Sequence, residues 1–267
     1  MLSGLSAILL AFSMPLTGRG VAIRNPAVEP RQQTPVVAQG IAGNIPLRIL
    51  PLGASITFGV QSSDGNGYRA LLRKALVDGG NPVNMVGNEQ GGTMRDNENE
   101  GWPGLRIGQV KDKAAVSIGK WKPNLVLINL GTNDATQDFK VSAAGDRMNE
   151  LLDLIWKDSP VATVVLSTLL PNQVATTQTN VDKINVMYRA LVTKLRGQGK
   201  RIVLAEMTGT DGPKFMNDFA DDTHPNDQGY RKMSKIWFEA IVAAGKAGLI
   251  QRPQRVVGLS IPDNGDA

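Results

Sequence analysis

Cysteine is absent from the 267-residue chain, and histidine occurs once, at His224. The first absence excludes disulfides and thiolate-bound metals. The second excludes any zinc or iron centre built on several imidazoles. Aromatic residues are scarce at 5%, and the basic residues are scattered rather than clustered. A stacking platform or basic stripe for nucleic acid is therefore not expected, and a net charge of +5 is too modest to imply one. Long apolar runs are missing as well. The longest, Leu5 to Leu16, is too short for a comfortable membrane span. It sits in a stretch, residues 1–22, that is uncharged up to Arg19 and ends in "GVA". That stretch lacks a basic start but otherwise reads as a secretory signal, which predicts an exported protein.

What is present is the composition of an ordinary globular domain, with 42% hydrophobic and 20% charged residues. Residues 23–46 are rich in Pro, Gln, Val and Gly without periodicity, and read as a linker or pro-segment. From Leu47 the pattern changes. Apolar runs at 47–52, 83–87, 124–130, 161–168 and 201–205 predict five strands. Amphipathic stretches at about 66–79, 105–120, 142–158, 177–197 and 227–246 predict the helices between them. Strands apolar along their whole length, alternating with helices, imply a mostly parallel sheet covered on both faces. The expectation is one three-layer α/β/α sandwich over residues 47–250, flavodoxin-like in plan, with a polar tail at 251–267. No internal repeat appears.

Chemistry-bearing residues gather where strands are expected to end. "GASIT" puts Ser55 after the first run, "GTND" puts Asn133 and Asp134 after the third, and "DDTHPN" precedes the last helix. In open α/β sheets ligands bind at the carboxyl ends of the strands. A serine hydroxyl is a poor nucleophile until a neighbouring base takes its proton. An imidazole, which ordinarily titrates near ~6.5, is the natural base. It needs a carboxylate to hold its tautomer. Asp221, three residues before His224, can reach the ring's far nitrogen; Asp222 competes at a less favourable spacing. The oxyanion formed on attack needs fixed donors, which the Asn133 amide and N–H groups of glycine turns can supply. Taken singly, each residue is also an ordinary turn or cap residue.

These blocks resemble those of the SGNH (GDSL-type) hydrolases. With "SSDGNGYR", "VGNEQGGTMRDNENEGWPGLRI" and "HPNDQGYRKM", the likeness is closest to carbohydrate esterase family 3, the acetylxylan-esterase-like branch, and covers roughly residues 47–245. The resemblance implies Ser55 as nucleophile, His224 as base and Asp221 as its orienting carboxylate. It implies an oxyanion hole from the Ser55 N–H, the Asn133 side chain and a second-block glycine. Gly104 is the preferred glycine because a helix-like segment opens there; Gly101, Gly92 and Gly91 are alternatives. It further implies removal of acetyl groups from plant cell-wall polysaccharide, without metal or organic cofactor. Trp102, able to stack on a sugar, and Asp134 are expected to contact substrate. One departure stands out: Ala54 replaces the acidic residue of the family's Gly-Asp-Ser. A lipolytic or general short-chain esterase is the alternative enzyme, and an inactive carbohydrate-binding relative the non-enzyme alternative.

Two other motifs fail on spacing. "DNENEG", from Asp96, begins like a calcium loop, but Ile107 stands where the twelfth-position glutamate belongs. "GASITFG" is not the Gly-x-Gly-x-x-Gly of a dinucleotide site.

Overall fold

The computed structural model describes residues 40–259. The signal expected at 1–22, most of the 23–46 linker and the last residues of the tail lie outside them. The five predicted strands are present as β1 (Leu47–Gly53), β2 (Val83–Met85), β5 (Leu125–Asn129), β6 (Thr163–Ser167) and β7 (Ile202–Ala205). They run parallel in the order β2-β1-β5-β6-β7. Successive side chains of a strand face opposite ways. Leu50, Leu52, Val126, Ile128, Val164 and Leu166 thus join one core, and Leu47, Ile49, Leu125, Leu127 and Val165 join the other.

The first core is covered by α3 (Ile107–Trp121), α5 (Ala144–Asp158) and α6 (Ala175–Gly197), through residues such as Val110, Ile118, Leu151, Ile155, Ile184 and Tyr188. The second lies under α2 (Arg69–Asp78) and α8 (Asp227–Lys246), through Leu72, Leu76, Tyr230, Met233, Trp237 and Ile241. The sandwich is therefore three-layered, as the apolar runs imply. Trp237 is fully buried and stacks at a tilt on Tyr68, with ring centroids 5.6 Å apart. Each large apolar side chain so buried contributes about 1.5–3 kcal/mol.

Two further strands join the predicted five. β3 (Glu89–Gln90) and β4 (Glu98–Gly101) form a short antiparallel ribbon inside the long polar loop, making the sheet seven-stranded. Their sequences, Glu-Gln and Glu-Asn-Glu-Gly, carry no apolar run to reveal them. They exist because β2 is shorter than β1. β2 pairs with Leu47, Arg48 and Ile49, and β4 takes over the same edge at Leu52 and Gly53.

The packed unit also extends beyond the expected 47–250 at both ends. Asn81 accepts from the Ile41 N–H and donates to the Ile41 and Ile45 carbonyls, seating residues 40–46 against the α2–α8 core. In the tail, the Gln251 carbonyl accepts from Asn124 and the Gln254 carbonyl from the buried Arg48. Linker-like composition at 40–46 concealed these contacts because they are made mostly by backbone.

Candidate active site

Among the five parallel strands the order reverses between β1 and β5, the place where such sheets open a crevice. β1 ends in Gly53, where a Cβ would lie 2.2 Å from Thr57 Oγ1 and 2.3 Å from the Asn129 carbonyl. Only glycine allows the chain to turn this closely. It turns into α1 (Ser55–Phe58), closed by the Phe58 N–H on the Ala54 carbonyl and the Gly59 N–H on the Ser55 carbonyl. As the first residue of a helical turn, Ser55 has no carbonyl four residues back for its N–H.

His224 arrives from the loop between α7 (Phe215–Asp218) and α8, which is closed by an antiparallel bridge between Phe219 and Pro225. Its ring connects the two partners expected of it. Nε2 lies 2.9 Å from Ser55 Oγ, and Nδ1 lies 2.9 Å and 3.1 Å from the Asp221 oxygens. Since the carboxylate only accepts, Nδ1 carries the proton and Nε2 turns a lone pair to the hydroxyl. Asp221 is fixed by its own loop: Oδ1 accepts the N–H groups of Thr223 at 2.8 Å and His224 at 2.7 Å. Desolvation alone would raise its pKa, but these two N–H groups and the imidazole outweigh that and hold it at about 2. Asp222, the competing carboxylate, instead offers its backbone carbonyl to the Gln173 N–H.

Gln61 is a site neighbour that the sequence did not reveal. It adopts a left-handed backbone (φ 69°), and its amide donates to Asp221 Oδ2 at 3.3 Å. Arg69 was missed too. Fully buried, it donates to the carbonyls of Thr57, Phe58, Gly65, Gly91 and Asn97, tying the α1–α2 and β3–β4 loops to α1. Nothing in "GYRALL" distinguishes this arginine from a surface one.

Opposite the histidine, Gly131 (φ 123°) turns the chain from β5 into α4 (Thr132–Thr136). Half-buried Asn133 donates one amide hydrogen to the Leu105 carbonyl at 2.9 Å, and its other amide hydrogen meets no acceptor among the described residues. Among the second-block glycines, Gly101 spends its N–H on Asn99 and Gly91 on the Asn97 carbonyl. Gly92 packs directly against the Gly65–Asn66 backbone. Gly104 is exposed, left-handed (φ 80°), and its N–H meets no acceptor among the described residues. It lies in the turn before α3 rather than in its first helical turn, which begins only at Ile107.

Two expectations need correction. Asp134 does not face a substrate cleft: it is fully buried, accepting from the Ile107 N–H at 3.0 Å and from Arg147 at 2.9 Å. Desolvation raises its pKa, opposed by those same two donors. It holds the start of α3 against α4 instead. Trp102 is no open stacking platform either. Its indole packs on the α3-side core, donates to Glu100 at 2.9 Å, and has the Lys113 ammonium 4.4 Å from its ring centroid.

The acidic loop separates into unlike partners. Asp96 pairs with buried Arg73 at 2.5 Å and accepts the Met85 N–H, while Glu100 takes Trp102, the Asn88 N–H and Ser117. Among the described residues no group of three His, Asp or Glu is placed to hold a metal ion. No helix there is long and apolar enough to cross a membrane.

Comparison with known proteins gives consistent results. The model of the GDSL-like Lipase/Acylhydrolase family matches residues 52–232. A multidomain esterase of Ruminococcus flavefaciens is 29% identical over 231 residues, 75% of this chain and 29% of that protein. A Clostridium thermocellum family 3 carbohydrate esterase superposes with a TM-score of 0.68 at 22% identity, over 76% of this chain and 98% of that one. A family 3 carbohydrate esterase from Talaromyces cellulolyticus gives 0.65 at 18%, over 75% and 99%. At these identities the structures report a shared fold. The chain spans less than two thirds of the curated relatives it matches.

Proposed function

The chain belongs to the GDSL-like lipase/acylhydrolase family, and from that premise we propose that it is a serine esterase that removes acetyl groups from carbohydrate. The observation that carries this reading is the continuous hydrogen-bonded chain from Asp221 through His224 to Ser55.

In the proposed reaction Ser55 Oγ attacks the ester carbonyl carbon while its proton passes to His224 Nε2. The carbonyl oxygen becomes an oxyanion facing the N–H groups of Ser55 and Gly104 and the free amide hydrogen of Asn133. Such donors act most strongly once charge has developed. Collapse breaks the bond to the sugar oxygen, which leaves with the proton held on Nε2. An acetyl-serine remains. Water then gives a proton to Nε2 and attacks the acetyl carbonyl, and acetate departs as Ser55 recovers its hydrogen. Asp221 stays a carboxylate throughout and stabilises the imidazolium formed in each half. Ala54 does not enter this chain; its carbonyl simply closes the α1 turn.

The acetyl preference rests on the loops around Ser55. "VQSSDGNGYR", "NEQGGTMRDNENEGW" and "TNDATQDF" are dominated by polar residues and glycine. Each methylene that finds an apolar wall contributes ~0.8 kcal/mol, and these loops offer little such wall to a long acyl chain. The likeness to family 3 carbohydrate esterases supports a sugar as the alcohol, with acetylated xylan as the specific candidate. Export through residues 1–22 belongs to the same reading. The test is kcat/KM on aryl acetate, butyrate and octanoate, alongside acetate release from acetylated xylan, for the wild type and Ser55→Ala. Acetate favoured over octanoate, with acetate released from the polysaccharide, is the expected result. A preference for octanoate replaces this reading with a lipolytic one, and inertness toward every ester rejects esterase function.

A further inference from the structure

On the asparagine side, next along the chain from the proposed oxyanion donors, a cavity of about 260 Å³ is lined by Arg106, Gly108, Gln109, Lys111, Phe139 and Arg147 together with Asp112. It is adjacent to the proposed oxyanion hole through the chain itself. Gly104 is two residues before Arg106, and the Leu105 carbonyl between them holds Asn133. Phe139 belongs to the loop that leaves α4.

The charges lining this cavity are not equally committed. Lys111 is paired with Glu150, and Arg147 with buried Asp134. Arg147 also donates to the carbonyls of Phe139 and Lys140, while its Nε is buried without an acceptor. Arg106 has no carboxylate partner among the described residues. Its Nε reaches Gln109 Oε1 at 3.3 Å, and its guanidinium lies 3.8 Å from the Phe139 ring centroid, with Arg147 at 5.3 Å from the same centroid. Stacking on an aromatic face fixes the guanidinium plane while leaving its edge free. Its two terminal nitrogens meet no acceptor among the described residues, so the planar fork that best matches a carboxylate is held ready and unspent.

We propose that this cavity is a subsite for the carboxylate of a uronic-acid residue on the polysaccharide, gripped by the Arg106 fork beside the acetylated sugar. The inference rests on the proposed sugar-ester reading and adds to it a substrate class: acetylated polysaccharide carrying uronate. The cavity is small, suited to one sugar ring or its carboxylate rather than to a long ligand. Asp112 lines the same space and works against an anion, so the preference depends on Arg106 rather than on bulk positive charge.

The test compares kcat/KM for acetylated xylo-oligosaccharides of equal length with and without a glucuronosyl branch. Acetylated oligogalacturonate is the third substrate, to distinguish a branch uronate from a backbone one. The wild type is expected to favour a uronate-bearing substrate, mainly through KM. In Arg106→Gln the ratio of uronate-bearing to neutral substrate falls about 10-fold or more, the worth of one charge-assisted hydrogen bond. Gly108→Glu reaches the same end differently. Position 108 has nothing within 4 Å of a new Cβ, so the helix accepts the side chain while its carboxylate occupies the cavity. Arg106→Lys, which keeps the charge and loses the fork, should recover only part of the ratio. Equal handling of neutral and uronate substrates by the wild type, or a ratio unmoved in both Arg106→Gln and Gly108→Glu, overturns the subsite. Failure of the wild type to deacetylate any of the three oligosaccharides would overturn the sugar-ester reading instead, so the two are separately exposed.

Discussion

The two sides of Ser55 are built by different means. On the histidine side the structure is local: Asp221, Thr223 and His224 bond among themselves within four residues, and the Phe219–Pro225 bridge closes the loop around them. On the asparagine side it is long-range. Asn133 is held by Leu105, and Asp134 by Ile107 and Arg147, so three separate segments must already be in place. A local turn can place a base with little help from the core. A donor array drawn from three segments is only as accurate as the packing beneath it.

The largest effect expected lies on the histidine side. Ser55→Ala and His224→Ala should each lower kcat by about 10⁴–10⁶, because nucleophile and base act as one unit. Thermal melts should be nearly unchanged. Near-wild-type turnover in either variant would overturn the mechanism. Asp221→Asn should cost somewhat less, about 10³–10⁴, since the serine and oxyanion donors stay in place. Should Asp222→Asn prove the worse of the two in the same assay, the orienting carboxylate has been misassigned.

On the other side Asn133→Ala should lower kcat by about 10²–10³ while leaving KM almost unchanged, as loss of a single oxyanion donor does. A raised KM with intact kcat would make Asn133 a ground-state contact. Asp134→Asn sharpens the contrast. It leaves Arg147 without its buried carboxylate, so stability should fall by about 3 kcal/mol. Turnover should fall with it, because Asn133 and α3 lose their common anchor. Chemical denaturation read together with kcat checks both. If stability drops while kcat holds, the asparagine side does not depend on this anchor.

The smallest effect concerns acid. The folded Asp221 carboxyl, at about 2, lies below its ordinary value near 3.8, so its contribution to stability is complete above roughly pH 4 and is lost as pH falls toward 2. Melting temperatures from pH 6 to pH 2 for wild type and Asp221→Asn should therefore differ at the upper end and converge at the lower. With this side chain more than a third exposed the gap should be small. A gap that widens on acidification would contradict the assigned hydrogen bonds.

Much of this architecture is carried by the order of residues alone. Five apolar runs separated by amphipathic stretches allow few arrangements other than a parallel sheet covered on both faces, because each run must bury both sides. The pairing of Asp221 with His224 is equally local, since a three-residue spacing in a turn brings carboxylate and ring together whatever surrounds them. Tertiary structure decided the rest. β3 and β4 formed on polar sequence because β1 outran β2 and left an open edge. Asp134 became buried through partners 13 and 27 positions away, Arg69 through carbonyls 4 to 28 positions away, and Trp102 became covered by Glu100 and Lys113. No periodicity carries such information, because burial of a polar side chain depends on which donors and carbonyls meet it. The same holds for Arg106, whose sequence says only that it is basic. Its stacking on Phe139, more than thirty positions along the chain, is a property of the packed loops.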